Sequence, residues 1–394
     1  MKKRLFKLGL IVLSLSLILS GCSSVKTTGT SQTVSVTANA SSQATSQSTT
    51  TTAKKDFVIG LSNGYFGNTW RTQFVDDITL VANEYKTSGA IKDFIVNNAG
   101  SDAEQIAAVN NFIAQKVDAI IVVPRVESAL TPIIAKATAQ GIKVISIDDS
   151  SWPDTINVVN DNTTNMATLT EWLAEQIGGK GDIVYIDGVP GENWDNLRNT
   201  QVATVLKNYP DIKLLATAPG MWADAEASKA MTTLLNTYKN LDGVLAQDVM
   251  GRGLIQAFKT AQIDPPPICG DFVYGYFRLW DTMPKLNAIT YTFPPGIGAD
   301  ALRIAVNLLN GRTLKADSFS QNCFNPDLKN SIVMPLPYYV VRDVPTDNPK
   351  WMQDLDPRTK VISLKEALAM GEGKDDNEAI DYMASQADID KLFE

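Results

Sequence analysis

The stretch Gly60-Leu61-Ser62-Asn63-Gly64 matches the nucleophile elbow of serine hydrolases and lies where an apolar run gives way to a turn. A serine hydroxyl needs a base to take its proton, and the 394-residue chain contains no histidine. The match is accidental. Two glycine patterns are as weak. Gly251-Arg252-Gly253-Leu254-Ile255-Gln256 lacks the third small residue, and Gly296-Ile297-Gly298-Ala299-Asp300-Ala301 follows Pro294-Pro295. Neither occurs in the first βα unit, where a dinucleotide fingerprint belongs, so both read as close-packed helix starts. The sequence has no phosphate loop, no histidine-bearing metal spacing and no carboxylate calcium loop. No cofactor or metal is expected, and an enzyme is disfavoured.

The elements that could position a binding site follow an export segment. Met1-Lys2-Lys3-Arg4 precedes an apolar stretch from Leu8 to Leu19, too short for a stable span, and then Leu19-Ser20-Gly21-Cys22. Residues 1–21 read as a signal peptide. Residues 22–54, rich in Ser and Thr, have too little apolar bulk to fold and read as a disordered tether. About 340 residues remain, natural for two lobes. The signal holds four of the 35 basic residues, which leaves 31 against 43 acidic ones, a net of −12. Nucleic acid is an unsuitable partner. An exported chain allows Cys269 and Cys323 to form a disulfide.

Short runs apolar on both faces recur at Phe57–Leu61, Phe94–Val96, Ala119–Val123, Val144–Ile147, Ile183–Ile186, Leu214–Ala216, Val244–Ala246 and Ala288–Tyr291. Such runs suit buried parallel strands. Stretches of helical spacing separate them, one opened by the capping-box pattern Ser101-Asp102-Ala103-Glu104. The alternation predicts an α/β fold of two doubly wound parallel-sheet lobes, with the loops at the carboxyl ends of the strands facing a ligand cleft.

Several local sequences, in this order, carry a resemblance: Asn68-Thr69-Trp70-Arg71, Gly141-Ile142-Lys143-Val144-Ile145-Ser146-Ile147-Asp148-Asp149, Val244-Leu245-Ala246-Gln247-Asp248 and Gly270-Asp271. From about Phe57 to about Val341 the chain resembles the type I periplasmic sugar-binding proteins, the ribose- and galactose-binding group of ABC importers. Cys22 after Leu-Ser-Gly resembles the acylated cysteine of bacterial lipoproteins. The resemblance implies a monomeric, lipid-anchored, extracytoplasmic solute-binding protein that closes about a three-segment hinge and passes a sugar to an ABC permease. It places the N-terminal lobe at 55–161 completed by 294–325, the C-terminal lobe at 162–293 completed by 326–342, and crossings near Asp161, Phe293 and Asn325. Residues 343–394 are an acidic extension of short helices, which includes a second capping-box pattern, Ser363-Leu364-Lys365-Glu366, and is expected on the outside of one lobe.

A sugar ring offers C–H faces and a hydroxyl rim, so its site needs flat aromatic rings and polar groups that bond in both directions. The positions implied are Phe66, Asn68, Trp70, Arg71, Asp148, Asp149, Trp152, Trp194, Asn196, Arg198, Trp222, Asp248, Asp271 and Thr292. Trp172 and Trp280 fall in helical stretches and read as core. The ribose-binding group usually has Asp-Arg where this chain has Asp148-Asp149, so the identity of the sugar does not carry over. Tryptophans with a surplus of carboxylates would also suit a cationic ligand. A receptor that presents its ligand to a sensor kinase shares the fold and the cleft. A repressor is excluded by the export signal and the lack of a basic segment before Phe57.

Overall fold

The computed structural model describes residues 56–147 and 150–394. The signal segment, Cys22, the tether, Asp148 and Asp149 lie outside the described residues. The first lobe begins with β1 (Val58–Asn63), α1 (Thr69–Ser88), β2 (Asp93–Asn98), α2 (Asp102–Gln115), β3 (Ala119–Val123), α3 (Glu127–Ala139), β4 (Lys143–Ile147) and β5 (Ile156–Asn160). The chain then enters the second lobe through α4 (Asn165–Gln176), β6 (Lys180–Asp187), α5 (Asn193–Leu206), β7 (Asp211–Pro219), α6 (Asp224–Thr237), β8 (Gly243–Ala246), α7 (Gly251–Ala261), β9 (Ile268–Cys269), α8 (Tyr274–Asp281) and β10 (Ala288–Tyr291). It returns to the first lobe as α9 (Ile297–Leu309) and β11 (Ser331–Met334). Last come β12 (Tyr338–Val341), α10 (Lys350–Gln353), β13 (Lys360–Ser363), α11 (Leu364–Met370) and α12 (Gln386–Asp390).

Two sheets result, ordered β11-β5-β4-β3-β1-β2 and β13-β12-β10-β9-β8-β6-β7. All pairs are parallel except β10 with β12. In β3 every residue is buried, because helices cover both faces. Helix α1 shows the matching helical pattern: Trp70, Phe74, Ile78, Val81 and Ala82 are its buried stripe. It starts at Asn68, whose side chain accepts from the Arg71 N–H, and ends at Gly89 in the left-handed region. Ser101 caps α2 by accepting from the Glu104 N–H, but Glu104 reaches back to Gly100, so that box is incomplete. The box at Ser363 and Glu366 is reciprocal.

Three features differ from the sequence reading. Ser331–Met334 pairs with β5, so the third crossing runs between Met334 and Tyr338, not near Asn325. The extension supplies an edge strand, β13, to the second sheet. It also contacts both lobes rather than one. Its residues 376–380 bind the second lobe through Tyr274 N–H to Glu378 O (2.9 Å), Ile380 N–H to Phe272 O (3.0 Å) and an Arg278–Asp376 ion pair. From the next residue onward the same segment binds the first lobe: Asp381 accepts from the Gly296 N–H (2.7 Å) and Asp300 accepts from the Ala384 N–H (2.9 Å). Beyond that, Phe393 pairs with Leu314 as an isolated bridge, and Ile389 and Phe393 are buried. The segment is a fourth inter-lobe crossing.

Candidate functional site

The carboxyl ends of the strands face each other across a small cavity of about 70 Å³ lined by Asn68, Trp70, Arg71, Trp194, Arg198, Trp222, Asp248, Val249 and Phe293. The first lobe supplies its share from the first turn of α1. The Trp70 indole N–H donates to the Phe293 carbonyl at 2.7 Å, and its ring stacks on Phe74 with centroids 5.4 Å apart. Arg71 donates to Asn63 Oδ1 at 3.3 Å and holds its guanidinium 5.2 Å from the Trp70 ring centre. Phe293, in the crossing from β10 to α9, forms the floor between the lobes.

The second lobe contributes a desolvated ion pair. Arg198 of α5 donates from Nη1 to Asp248 Oδ1 at 2.6 Å and from Nη2 to Oδ2 at 3.3 Å. Its side chain is 3% exposed and that of Asp248 is 11% exposed. The guanidinium lies 5.8 Å from the ring centres of Trp222 and of Phe293. Burial works against its charge, the Asp248 carboxylate works for it, and the net direction of the Arg198 pKa is upward. A pair in so dry a place fixes its own geometry, because breaking it strands a buried charge.

Trp222 closes one wall from the loop between β7 and α6, with Met221 and Trp222 both at left-handed φ, +58° and +50°. Its indole lies against Gly188, where an added Cβ would sit 2.3 Å from the ring. Only glycine permits that approach. Trp194 meets Phe324 of the first lobe edge to face at 4.7 Å, and nearby Asn193 donates to Glu127 Oε2 at 3.2 Å. Both contacts join the two lobes. Two donors, Trp194 Nε1 and Arg198 Nε, are buried without a hydrogen-bond partner. Buried donors rarely stay unmet.

Other predicted positions lie apart from the lining. Phe66 is 49% exposed in the loop after β1, and Asn196 is exposed on α5. Trp152 belongs to the first lobe's own core, with its indole N–H on Thr131 Oγ1 at 2.9 Å. Asp271 turns back on its own loop ahead of α8, accepting from the Phe272 and Val273 N–H groups. Its carboxyl is pushed up to about 7, by burial first and then by Asp224, against Arg252. Thr292 joins two crossings through the Tyr338 backbone. Cys269 and Cys323 do not form a disulfide: Cys269 is buried in β9 of the second sheet, whereas Cys323 lies in the loop that leads to β11 of the first.

Val249 and Phe293 line the cavity without having been singled out for it. Phe293 appeared only as a hinge position, and its place before Pro294-Pro295 was the available signal. Behind the wall is a further polar side chain, Gln247, whose signal was an amide at the end of an apolar strand.

The periplasmic binding protein domain family matches residues 59–313. The chain is 36% identical over 183 residues to the xylitol-binding protein of Mycolicibacterium smegmatis, a match covering 45% of this chain and 52% of that protein. It therefore spans about half the length of that relative. To the ribose import binding protein of Bacillus subtilis it is 27% identical over 273 residues, covering 66% of this chain and 85% of the relative. The crystal structure of an ABC transporter solute-binding protein from Thermobispora bispora superposes with a TM-score of 0.63 at 25% identity, over 82% of this chain and 98% of that one. The family is one of binding proteins, not enzymes. With two doubly wound lobes, a cleft at their strand ends and a match over most of the folded residues, the chain belongs to the periplasmic binding protein domain family.

Proposed function

We propose that the protein captures a small neutral polyhydroxylated ligand, a monosaccharide or sugar alcohol, and delivers it to an ABC permease. The observation that carries this reading is the arrangement of Trp70, Trp194, Trp222 and Phe293 around the Arg198–Asp248 pair. Flat rings suit the C–H faces of a sugar, and the unmet Trp194 and Arg198 donors suit its oxygens. A cationic ligand is disfavoured, because both oxygens of Asp248 are already engaged by Arg198. The xylitol- and ribose-binding relatives point to the same ligand class. The cavity between the lobes is small, about 70 Å³, and in this reading the lobes part to admit the ligand and close on it.

In the same reading the chain is a monomer tethered outside the cytoplasm through a lipid on Cys22. Cys22→Ala should release it from membranes, and retention after a high-salt wash would refute the anchor. A thermal-shift screen over pentoses, hexoses and sugar alcohols tests the ligand class. A ligand at one hundred times its Kd should add about 2.7 kcal/mol to stability. If no sugar or polyol shifts the transition while amines do, the sugar reading fails.

A further inference from the structure

We infer that Gln247 is a positioning residue, which sets the angle of the Trp222 wall and the seat of the Arg198 guanidinium without touching the ligand. This rests on the sugar-binding reading above. Gln247 is wholly buried at the end of β8 and is not part of the cavity lining. Its Oε1 accepts from Trp222 Nε1 at 2.7 Å and, at 3.4 Å, from Arg198 Nη1. Its Nε2 donates to Tyr185 Oη at 2.7 Å and to Asp195 Oδ1 at 2.8 Å.

The chemistry leaves this amide one orientation. Indole and guanidinium groups only donate and a carboxylate only accepts, so a flipped amide would set donor against donor and acceptor against acceptor. The bonds then close a circuit. Asp195 Oδ1 also accepts from the Gly188 N–H at 2.7 Å, and Gly188 is the residue on which the Trp222 ring lies. Ring face, glycine, carboxylate, amide and ring N–H hold one another in turn. Met221 and Trp222 sit in a backbone region that non-glycine residues rarely adopt, so the loop relaxes once the ring loses its anchor. An apolar side chain of the same length would fill the space and leave the indole N–H unmet, while Arg198 keeps Asp248 and Asp195 keeps the Gly188 N–H.

The test is a double-mutant cycle by calorimetry, with xylitol and D-ribose as probes, on the wild type, Gln247→Met, Trp222→Phe and the double variant. Gln247→Met should weaken binding at least tenfold in the wild-type background. In the Trp222→Phe background, where no indole N–H remains to be held, it should cost less than about threefold. Equal losses in the two backgrounds would overturn the inference. A second measurement needs neither a ligand nor a folded Gln247 variant: ¹⁵N-indole NMR of the ligand-free wild type, with the Trp222 signal assigned by Trp222→Phe. Slow exchange of that N–H with water supports the anchor, and fast exchange refutes it. If neither probe binds the wild type while other sugars also fail, the sugar reading falls, and the exchange rate still decides the positioning claim.

Discussion

Replacing Asp248 by alanine removes the partner of a guanidinium whose side chain is 3% exposed. What remains near Arg198 is Gln247 Oε1 at 3.4 Å and two ring faces at 5.8 Å. Breaking a buried pair from one side costs about 3–5 kcal/mol, and the two ring contacts offset about 1 kcal/mol of that, leaving about 3 kcal/mol. At ~2–4 °C per kcal/mol the midpoint should fall by roughly 6–12 °C. The informative companion is the double variant Arg198→Met, Asp248→Leu, which removes both charges at similar volume. It should lie within about 1 kcal/mol of the wild type, since apolar replacement of a dry pair is close to neutral. It should nevertheless bind no sugar, which separates the pair's cost to the fold from its use in the site. Urea titrations followed by circular dichroism give the stabilities, and calorimetry gives the binding. A loss under about 1 kcal/mol in Asp248→Ala would mean that the pair is wet. Equal loss in the double variant would mean that packing, not charge, was removed.

Two further outcomes follow from other sites. Asp300 has its carboxyl pushed up to about 8, by burial first, with Arg303 and the Ala384 N–H opposing and Asp381 adding to it; Asp77 is pushed up to about 7, by burial and then by Asp381, Asp76 and Glu378 against Lys374. Since these folded-state values exceed the ordinary 3.8, the folded chain holds extra protons between about pH 4 and pH 8. Stability should therefore be fullest at the acid end of that window and decline as pH rises through it; Asp300→Asn should flatten the slope, and a rising slope in the wild type would contradict the burial of these groups. Gly188→Ala places a Cβ 2.3 Å from the Trp222 ring, so it should push the wall aside and weaken sugar binding more than tenfold, ~1.4 kcal/mol, while a ligand affinity unchanged within threefold would show that the wall has room to shift.

The strands with an unbroken apolar run were legible, because burial on both faces leaves a signal that needs no partner: β3 and β8 are read directly from Ala119–Val123 and Val244–Ala246. Sheet membership was not. Ser331–Met334 and Tyr338–Val341 look alike as sequence, yet one pairs with β5 and the other with β10, a choice made by the direction of the crossing between them. Loop aromatics were half legible for a related reason. Trp152 and Trp194 both occur in loops or helix starts after a strand, but Trp152 finds Thr131 and the core of its own lobe, while Trp194 finds the other lobe's Phe324. Arg198 was expected at the ligand site; it lines the cavity and also pairs with Asp248. Residue type states what a side chain can do, and the neighbours that choose among those options come from distant sequence.

The crossing made by residues 376–394 also bears on the order in which the chain can fold. The first lobe is built from residue 58 onward, yet Ile389 and Phe393 complete its packing and the Glu394 N–H bonds the Thr313 carbonyl at 2.9 Å. Without those residues Leu314 and α9 lose the cover that Phe393 and α12 give them. The lobe that starts at residue 58 is thus closed by residues more than three hundred positions away. Contacts that span more than three hundred residues, such as Tyr85 Oη to Gln386 Oε1 at 2.8 Å, put a high loop-closure cost on its final state and delay it.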